Sequence, residues 1–278
     1  MNFGNKKYLI LILLLIFFAI NLSLPKKKFE YNQKIIDLFK NKNYQFIAHA
    51  GGGINDITYT NSIEAVLKSI EKGFKLIEID LRETTDKHFV GVHDWLSLKK
   101  HSNISSNITF DNSAISYEEF KKIKLFGKYT PITSKDINNI FSENKDLILV
   151  TDKSNNFKKI KNDFLFDNSR IIVEVFGKKN YFKSIEFGIE NPMYSANHTD
   201  YDFIIKNNIK LIAASANDIL AYKDIYRNLT KHGVIIFAYS SNNKNFIEKN
   251  LNRLFSAVYT DYWDIKNNDC FSSECKTY

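Results

Sequence analysis

Five residues stand out in the fifty from Phe46 to Trp95: His49, Glu78, Asp80, His93 and Asp94. Each stands at or near the end of a short apolar run, in FIAH, KLIEID and HFVGVHD. Imidazoles and carboxylates grouped this way suit metal-assisted acid/base chemistry on a phosphate ester. In a strand, residues i and i+2 face the same way, so Glu78, Asp80 and Arg82 share one face and Ile77, Ile79 and Leu81 the other. Two carboxylates so spaced near a barrel rim form half of a hard-cation site, which suits Mg²⁺ or Ca²⁺; zinc would recruit the histidines. The competing reading is a solvated strand face. Ile-Glu-Ile-Asp-Leu argues against it, because a strand flanked by helices has both faces covered. His49 is followed by Gly51, Gly52 and Gly53, whose backbone can approach a ligand and offer N–H groups to a phosphate oxygen. His49 and His93 are a candidate acid and base pair, with Asp94 placed to orient an imidazole or to anchor the loop.

The elements that must position these groups alternate. Strand candidates are Phe46–His49, Leu76–Arg82, Leu147–Thr151, Ile171–Phe176, Met193–Ala196, Leu211–Ala214, Val234–Tyr239 and Ala257–Thr260. Helical spacing lies between them: Ile63, Val66, Leu67 and Ile70 make one stripe, and Ile247, Leu251 and Leu254 another. Asn61 reads as an N-cap with Glu64 as its capping partner, and Gly73 stops that helix. Eight such repeats in about 220 residues imply an α/β fold, a closed TIM (β/α)8 barrel. Phe89–His93 follows Arg82 too closely for a crossover helix, so it reads as the return arm of a hairpin turning through Thr84–Lys87. A turn centred between Thr85 and Asp86 places His93 opposite Glu78. Residues 96–146 contain no barrel strand and read as a lobe inserted beside the mouth.

The 278 residues carry a net charge of +8. A Lys-, Asn- and Ile-rich composition makes that charge weak information, and no nucleic-acid-binding module is present. Lys6 and Lys7 precede about 13 apolar residues, Tyr8 to Ile20, and Lys26–Lys28 follow. Residues 1–28 therefore read as a signal peptide or an uncleaved membrane helix, leaving residues 29–278 as an exported catalytic domain, with Phe29–Lys40 a short helix or linker. Cys270 and Cys275 are the only cysteines. Outside the cytoplasm they can close a small disulfide loop; otherwise they are free thiols on a frayed tail.

The order H-x-G, N-[ST]-x-x-A, E-x-D, T-x-D and H-D resembles the glycerophosphodiester phosphodiesterase family, among the barrel phosphodiesterases related to phosphatidylinositol-specific phospholipase C. The resemblance is densest over Phe46–Trp95 and continues to Val258-Tyr259-Thr260-Asp261. It implies a TIM barrel, a divalent metal and hydrolysis of a phosphodiester. His49 and His93 match the family's paired acid/base histidines, and Glu78 and Asp80 its metal carboxylates. Three departures stand out. Ala50 occupies the place of a phosphate-contacting Arg. Thr151-Asp152-Lys153 aligns with a Glu-x-Lys strand, so Asp152, or Glu174 from the next strand, must stand in for the third metal carboxylate. The aromatic strand near the end is replaced by Phe237-Ala238-Tyr239. Lys153, then Arg82, are the candidates for the missing positive charge. The implied reaction is metal-dependent conversion of a glycerophosphodiester to a phosphomonoester and an alcohol. The alternatives are a phospholipase acting on lysolipids or inositol lipids, and a catalytically weak barrel that binds phospholipid or envelope polymers.

Overall fold

Apolar runs bounded by Asn, Asp and Gly become strands. In the computed structural model they are β1 (Phe46–Ala48), β2 (Leu76–Glu83), β3 (Phe89–Gly91), β4 (Ile148–Asp152), β5 (Ile171–Phe176), β6 (Pro192–Ser195), β7 (Leu211–Ser215), β8 (Ile235–Tyr239) and β9 (Ala257–Thr260). The structure describes residues 29–40, 42–103, 111–270, 272 and 275. All strands but β3 are parallel, each paired with the next, and β1 pairs with both β2 and β9, so the eight close into a barrel. Tyr31–Tyr278 make one compact unit.

The two faces of each strand sort by chemistry. Leu76, Ile148, Val150, Ile172, Met193, Leu211 and Phe237 fill the interior. Helix α1 (Gln33–Leu38) adds Ile35 to that cluster, and the following Phe39 meets Phe237 edge-on at 4.9 Å. Ile77, Ile79, Leu81, Val173 and Val175 face outward into a second core beneath the helices. This double burial is why the strands read as near-continuous apolar runs.

Helix α2 (Ile63–Glu71) links β1 to β2. Its N-cap is Ser62, whose Oγ accepts from the Ala65 N–H, and not the expected Asn61. Glu64 does not close a capping box either; it accepts from the Thr130 N–H and hydroxyl. The motif supplies two adjacent polar residues, and Ser takes the cap because Asn61 is bonded to Asp80. Gly73, at φ +97°, ends the helix as the sequence suggests.

The hairpin forms, one residue out of the expected register. Leu81 opposes Gly91 and Glu83 opposes Phe89, so the turn centres on Asp86. Ladder pairing ends near the Val92 N–H to Asp80 carbonyl bond, and His93 lies beyond it, not opposite Glu78. Past the hairpin, α3 (Trp95–Lys100) and α4 (Tyr117–Phe120) build a separate apolar cluster with Val92, Ile123, Leu125 and Tyr129. Helix α5 (Ser134–Glu143) then returns to the barrel wall through Ile137 and Phe141. Residues 1–28, where the sequence suggests a signal peptide or membrane helix, lie outside the described residues. Among the described residues, no helix is long and apolar enough to cross a membrane. Cys270 and Cys275 form a disulfide with Cα atoms 5.8 Å apart.

The glycines after His49 are demanded by packing. Gly52 has φ +94°, and a Cβ there would overlap Ser69 Oγ on α2, which itself donates to the Gly51 carbonyl. Gly127 also has positive φ (+70°) but open space around its missing side chain. Gly52→Ala should therefore cost about 2–4 kcal/mol of unfolding free energy, combining overpacking with backbone strain. Gly127→Ala should cost about 1–2 kcal/mol from backbone strain alone. Urea denaturation of the two variants checks this; equal losses would contradict it.

Candidate active site

The inward face of β2 changes from Leu76 to Glu78 and Asp80 as it reaches the barrel mouth. Asp80 pairs in register with Asp152 at the end of β4. The oxygens of Glu78, Asp80 and Asp152 approach within 4.8 Å of one another, and all three residues are buried. The neighbouring loops fix each one. Ala50, in a left-handed conformation at φ 48°, turns its N–H onto Glu78 Oε2 at 2.7 Å. Asn61, also left-handed, donates to Asp80 Oδ2 at 2.8 Å and accepts from the Asp80 N–H at 3.0 Å. Asp152 Oδ1 is buried without a hydrogen-bond partner.

Adjacent residues on a strand point to opposite sides. Thr151 accordingly faces outward, in register with Ile79 and Val173, and cannot occupy the inward position that its alignment suggests. Lys153 escapes this alternation because its φ is +60°. Its Nζ lies 2.9 Å from Asp152 Oδ2 and 3.6 Å from Asp80 Oδ1. Glu174 enters from β5 and accepts from the Tyr259 hydroxyl at 3.4 Å, beside the trio but outside it.

Burial first, then mutual repulsion with Asp80 and Asp152, holds the Glu78 carboxyl well above its ordinary range. Burial and Asp80 push Asp152 up to about 7, against the pull of Lys153. Burial also raises Glu174. For Lys153, burial pulls the ammonium down, but Asp152, Asp80 and Glu78 outweigh it and keep the group charged. One ammonium against this many buried carboxylates leaves unneutralised negative charge. An all-oxygen donor set with one orphaned carboxylate oxygen fits a hard divalent cation.

Both histidines reach the same cavity of about 210 Å³, which Glu78, Asp80, Asp152, Lys153 and Glu174 also line. His49 Nδ1 lies 3.2 Å from Asp261 Oδ1, and Asn242 donates to the other oxygen of Asp261 at 2.9 Å. His93 Nδ1 lies 3.2 Å from Asp94 Oδ2, while Asp94 Oδ1 caps α3 by accepting from the Ser97 N–H. An Nδ1–H donated to a carboxylate leaves Nε2 as the working nitrogen of each ring. Tyr59 stands between them, edge-on to His49 at 4.5 Å and to His93 at 5.2 Å. Burial, then the charges of Asp261, Asp80 and Glu78, push its hydroxyl up to about 12, so it remains a donor at neutral pH.

Two candidates stand apart from the carboxylates. Arg82 donates from Nε to the His93 carbonyl at 2.8 Å and lines a separate cavity with Glu83 and Asn156. Gly51 turns its carbonyl to Ser69, and the N–H groups of Gly52 and Gly53 are taken by the carbonyls of His49 and Asp261. Sequence reasoning missed Tyr59, Asn61, Asp261 and Asn242 as parts of the site. Asn61 lay in a quoted motif and Asp261 at the end of the closing strand, so two of the four carried a signal. Four non-glycine residues at positive φ, Ala50, Tyr59, Asn61 and Lys153, cluster here. Such backbone is held only where the surroundings over-determine it.

The family model described as "Glycerophosphoryl diester phosphodiesterase family" matches residues 49–265. No curated protein matches the chain in sequence. Among solved structures it is similar to a glycerophosphoryl diester phosphodiesterase from Parabacteroides distasonis, with 17% identity, TM-score 0.63, and coverage of 84% of this chain and 89% of that one. A glycerophosphodiester phosphodiesterase from Thermotoga maritima gives 19% identity, TM-score 0.58, and coverage of 78% and 94%. A phosphodiesterase from Oleispira antarctica, in complex with the product sn-glycerol-3-phosphate, gives 16%, 0.60, and 78% and 92%. At these identities the likeness establishes the shared barrel fold.

The raised Asp152 carboxyl has a thermodynamic consequence. Between its ordinary range and about 7, the folded metal-free protein holds a proton that the unfolded chain has released, so stability falls as pH rises through that window. Asp152→Asn removes the effect. In chelator its Tm should exceed wild type by a few degrees at pH 8 and by little at pH 5. A thermal melt at both pH values checks this. An equal or lower Tm at pH 8 would contradict it.

Proposed function

The chain belongs to the glycerophosphoryl diester phosphodiesterase family, and from that premise we propose that it is a metal-dependent hydrolase of glycerophosphodiesters. The single observation that carries this reading is the cavity where two carboxylate-anchored imidazoles face three clustered carboxylates and one ammonium. The sn-glycerol-3-phosphate held by the Oleispira antarctica phosphodiesterase gives the corresponding product class.

Glu78, Asp80 and Asp152 would hold Mg²⁺ or Ca²⁺, which when bound neutralises a phosphate oxygen and polarises the phosphorus centre. The chain's own residues then supply the proton transfers. Nε2 of one histidine takes the proton from the glycerol hydroxyl next to the phosphate, and that oxygen attacks phosphorus. The bond from phosphorus to the other alcohol breaks, and the second histidine gives that oxygen its proton. Water opens the resulting cyclic phosphate with the two roles exchanged, leaving a phosphomonoester. Asp261 and Asp94 hold each ring by Nδ1, which fixes its orientation and turns Nε2 to the substrate. Lys153 stands where Ala50 cannot reach and places an ammonium at the cavity wall for the non-bridging oxygens. Export of the domain is part of the proposal: the N-terminal apolar run and the Cys270–Cys275 disulfide both suit an oxidising compartment.

The experiment is a hydrolysis screen of residues 29–278 on glycerophosphodiesters with Mg²⁺, with Ca²⁺ and with chelator. Turnover should require metal. His49→Ala and His93→Ala should each lower kcat by about 10²–10⁴-fold without loss of fold. Turnover that persists in chelator, or normal turnover in both variants, would reject the mechanism.

Lys153→Met keeps most of the stem and removes the charge. It should lower kcat/KM by about 10²-fold or more, the scale of one lost charge-stabilising donor. The measurement is steady-state kinetics beside a thermal melt. Normal kinetics would reduce Lys153 to an ion-pair partner of Asp152 and Asp80.

A further inference from the structure

A cavity of about 410 Å³ adjoins the 210 Å³ space that holds the histidines and carboxylates. Tyr59 and His93 line both spaces, so one tyrosine and one candidate acid/base histidine form the wall between them. The far wall comes from the lobe that follows the hairpin. Val92, Leu98 and Leu125 are buried there, and Phe126 closes the rim while 41% exposed, its ring stacked on His101 at 4.7 Å. Three of the polar side chains lining the space are committed elsewhere. Asn61 is bonded twice to Asp80, Thr60 to Ser62, and Asp94 to His93 and the Ser97 N–H. Thr58, Ser97 and His101 add polar side chains to the lining, but Val92, Leu98, Leu125 and Phe126 form a continuous apolar side able to take an apolar group. Its position beyond His93 puts that group on an arm of the phosphodiester whose phosphorus sits among the carboxylates.

We propose that this cavity is a subsite for an apolar chain carried by the substrate, making phosphodiesters with one alkyl or acyl chain the preferred class. The proposal rests on the phosphodiesterase reading for the position of the phosphorus. The chain can sit on either arm: an acyl group on the glycerol, as in a lysophospholipid, or an alkyl group on the second alcohol. The chemistry of recognition is the same, and each methylene buried is worth roughly fourfold in affinity.

Three probes separate the cases: glycerophosphoethanolamine without a chain, 1-hexanoyl-lysophosphatidylethanolamine, and the hexyl ester of glycerophosphate. All stay monomeric at working concentration. Calorimetric binding in chelator removes turnover from the comparison, and kcat/KM with metal follows. At least one chained probe should bind at least tenfold more tightly than the chain-free one, and the arm that gains identifies the source. Ser97→Trp, at an exposed position on the lining, should fill the space and cut that ratio at least tenfold, and Phe126→Ala should cut it severalfold. A chained-to-free ratio near one, or ratios unchanged in both variants, would overturn the subsite. Failure of every probe to turn over, with the binding preference intact, would instead overturn the phosphodiesterase reading and leave the subsite standing.

Discussion

The structure is organised around the cost of burying several carboxylates in one place. Glu78, Asp80 and Asp152 crowd within 4.8 Å at the mouth of an apolar barrel. Like charges in a low dielectric raise one another's pKa and destabilise the fold unless cations or donors answer them. The surrounding loops are arranged as answers. Ala50 turns left-handed to give Glu78 an N–H, Asn61 leaves helix capping to serve Asp80, and Lys153 breaks strand alternation to bring in an ammonium. One oxygen of Asp152 is left with no protein partner. A divalent ion at this site would relieve the residual imbalance, so the proposed affinity for metal and an instability without it would have the same origin.

The histidines follow a parallel logic. Each is tied by Nδ1 to a carboxylate that the surrounding backbone already needs: Asp261 accepts from Asn242 beside the closing strand, and Asp94 caps α3. Positioning of the rings is therefore coupled to the end of the closing strand for His49 and to the N-terminus of α3 for His93. Tyr59 fills the space between the imidazoles and separates the polar cavity from the apolar one. The lower barrel, plugged by α1 through Ile35 and Phe39, has no such polar demand and carries stability instead.

Much of this was legible in the residues. Strands that alternate with helical stripes gave the closed barrel, with boundaries within one or two residues, because inner and outer cores impose opposite but regular constraints. Glu78 and Asp80 were readable as inward because alternation from Leu76 leaves no other choice. Several details were not. The hairpin slipped by one residue because the turn centres on Asp86 rather than between Thr85 and Asp86, and a polar TTDK stretch carries no signal that separates them. Asn61 was read as a cap because local pattern cannot show that a strand nineteen positions later needs its amide. Tyr59 depends on left-handed backbone, which its residue type does not announce; Lys153 does too, and was named only through the family resemblance.

The central claim is that the buried carboxylates trade protons for a metal ion. Calorimetric titration of Ca²⁺ or Mg²⁺ into chelator-stripped protein at pH 7, repeated in two buffers of different ionisation enthalpy, reads ion stoichiometry and proton release together. The account predicts one ion per chain and release of protons on binding, because burial and mutual repulsion raise the Glu78 and Asp152 carboxyls in the metal-free protein. No bound ion, or an ion taken up without proton release, would contradict it.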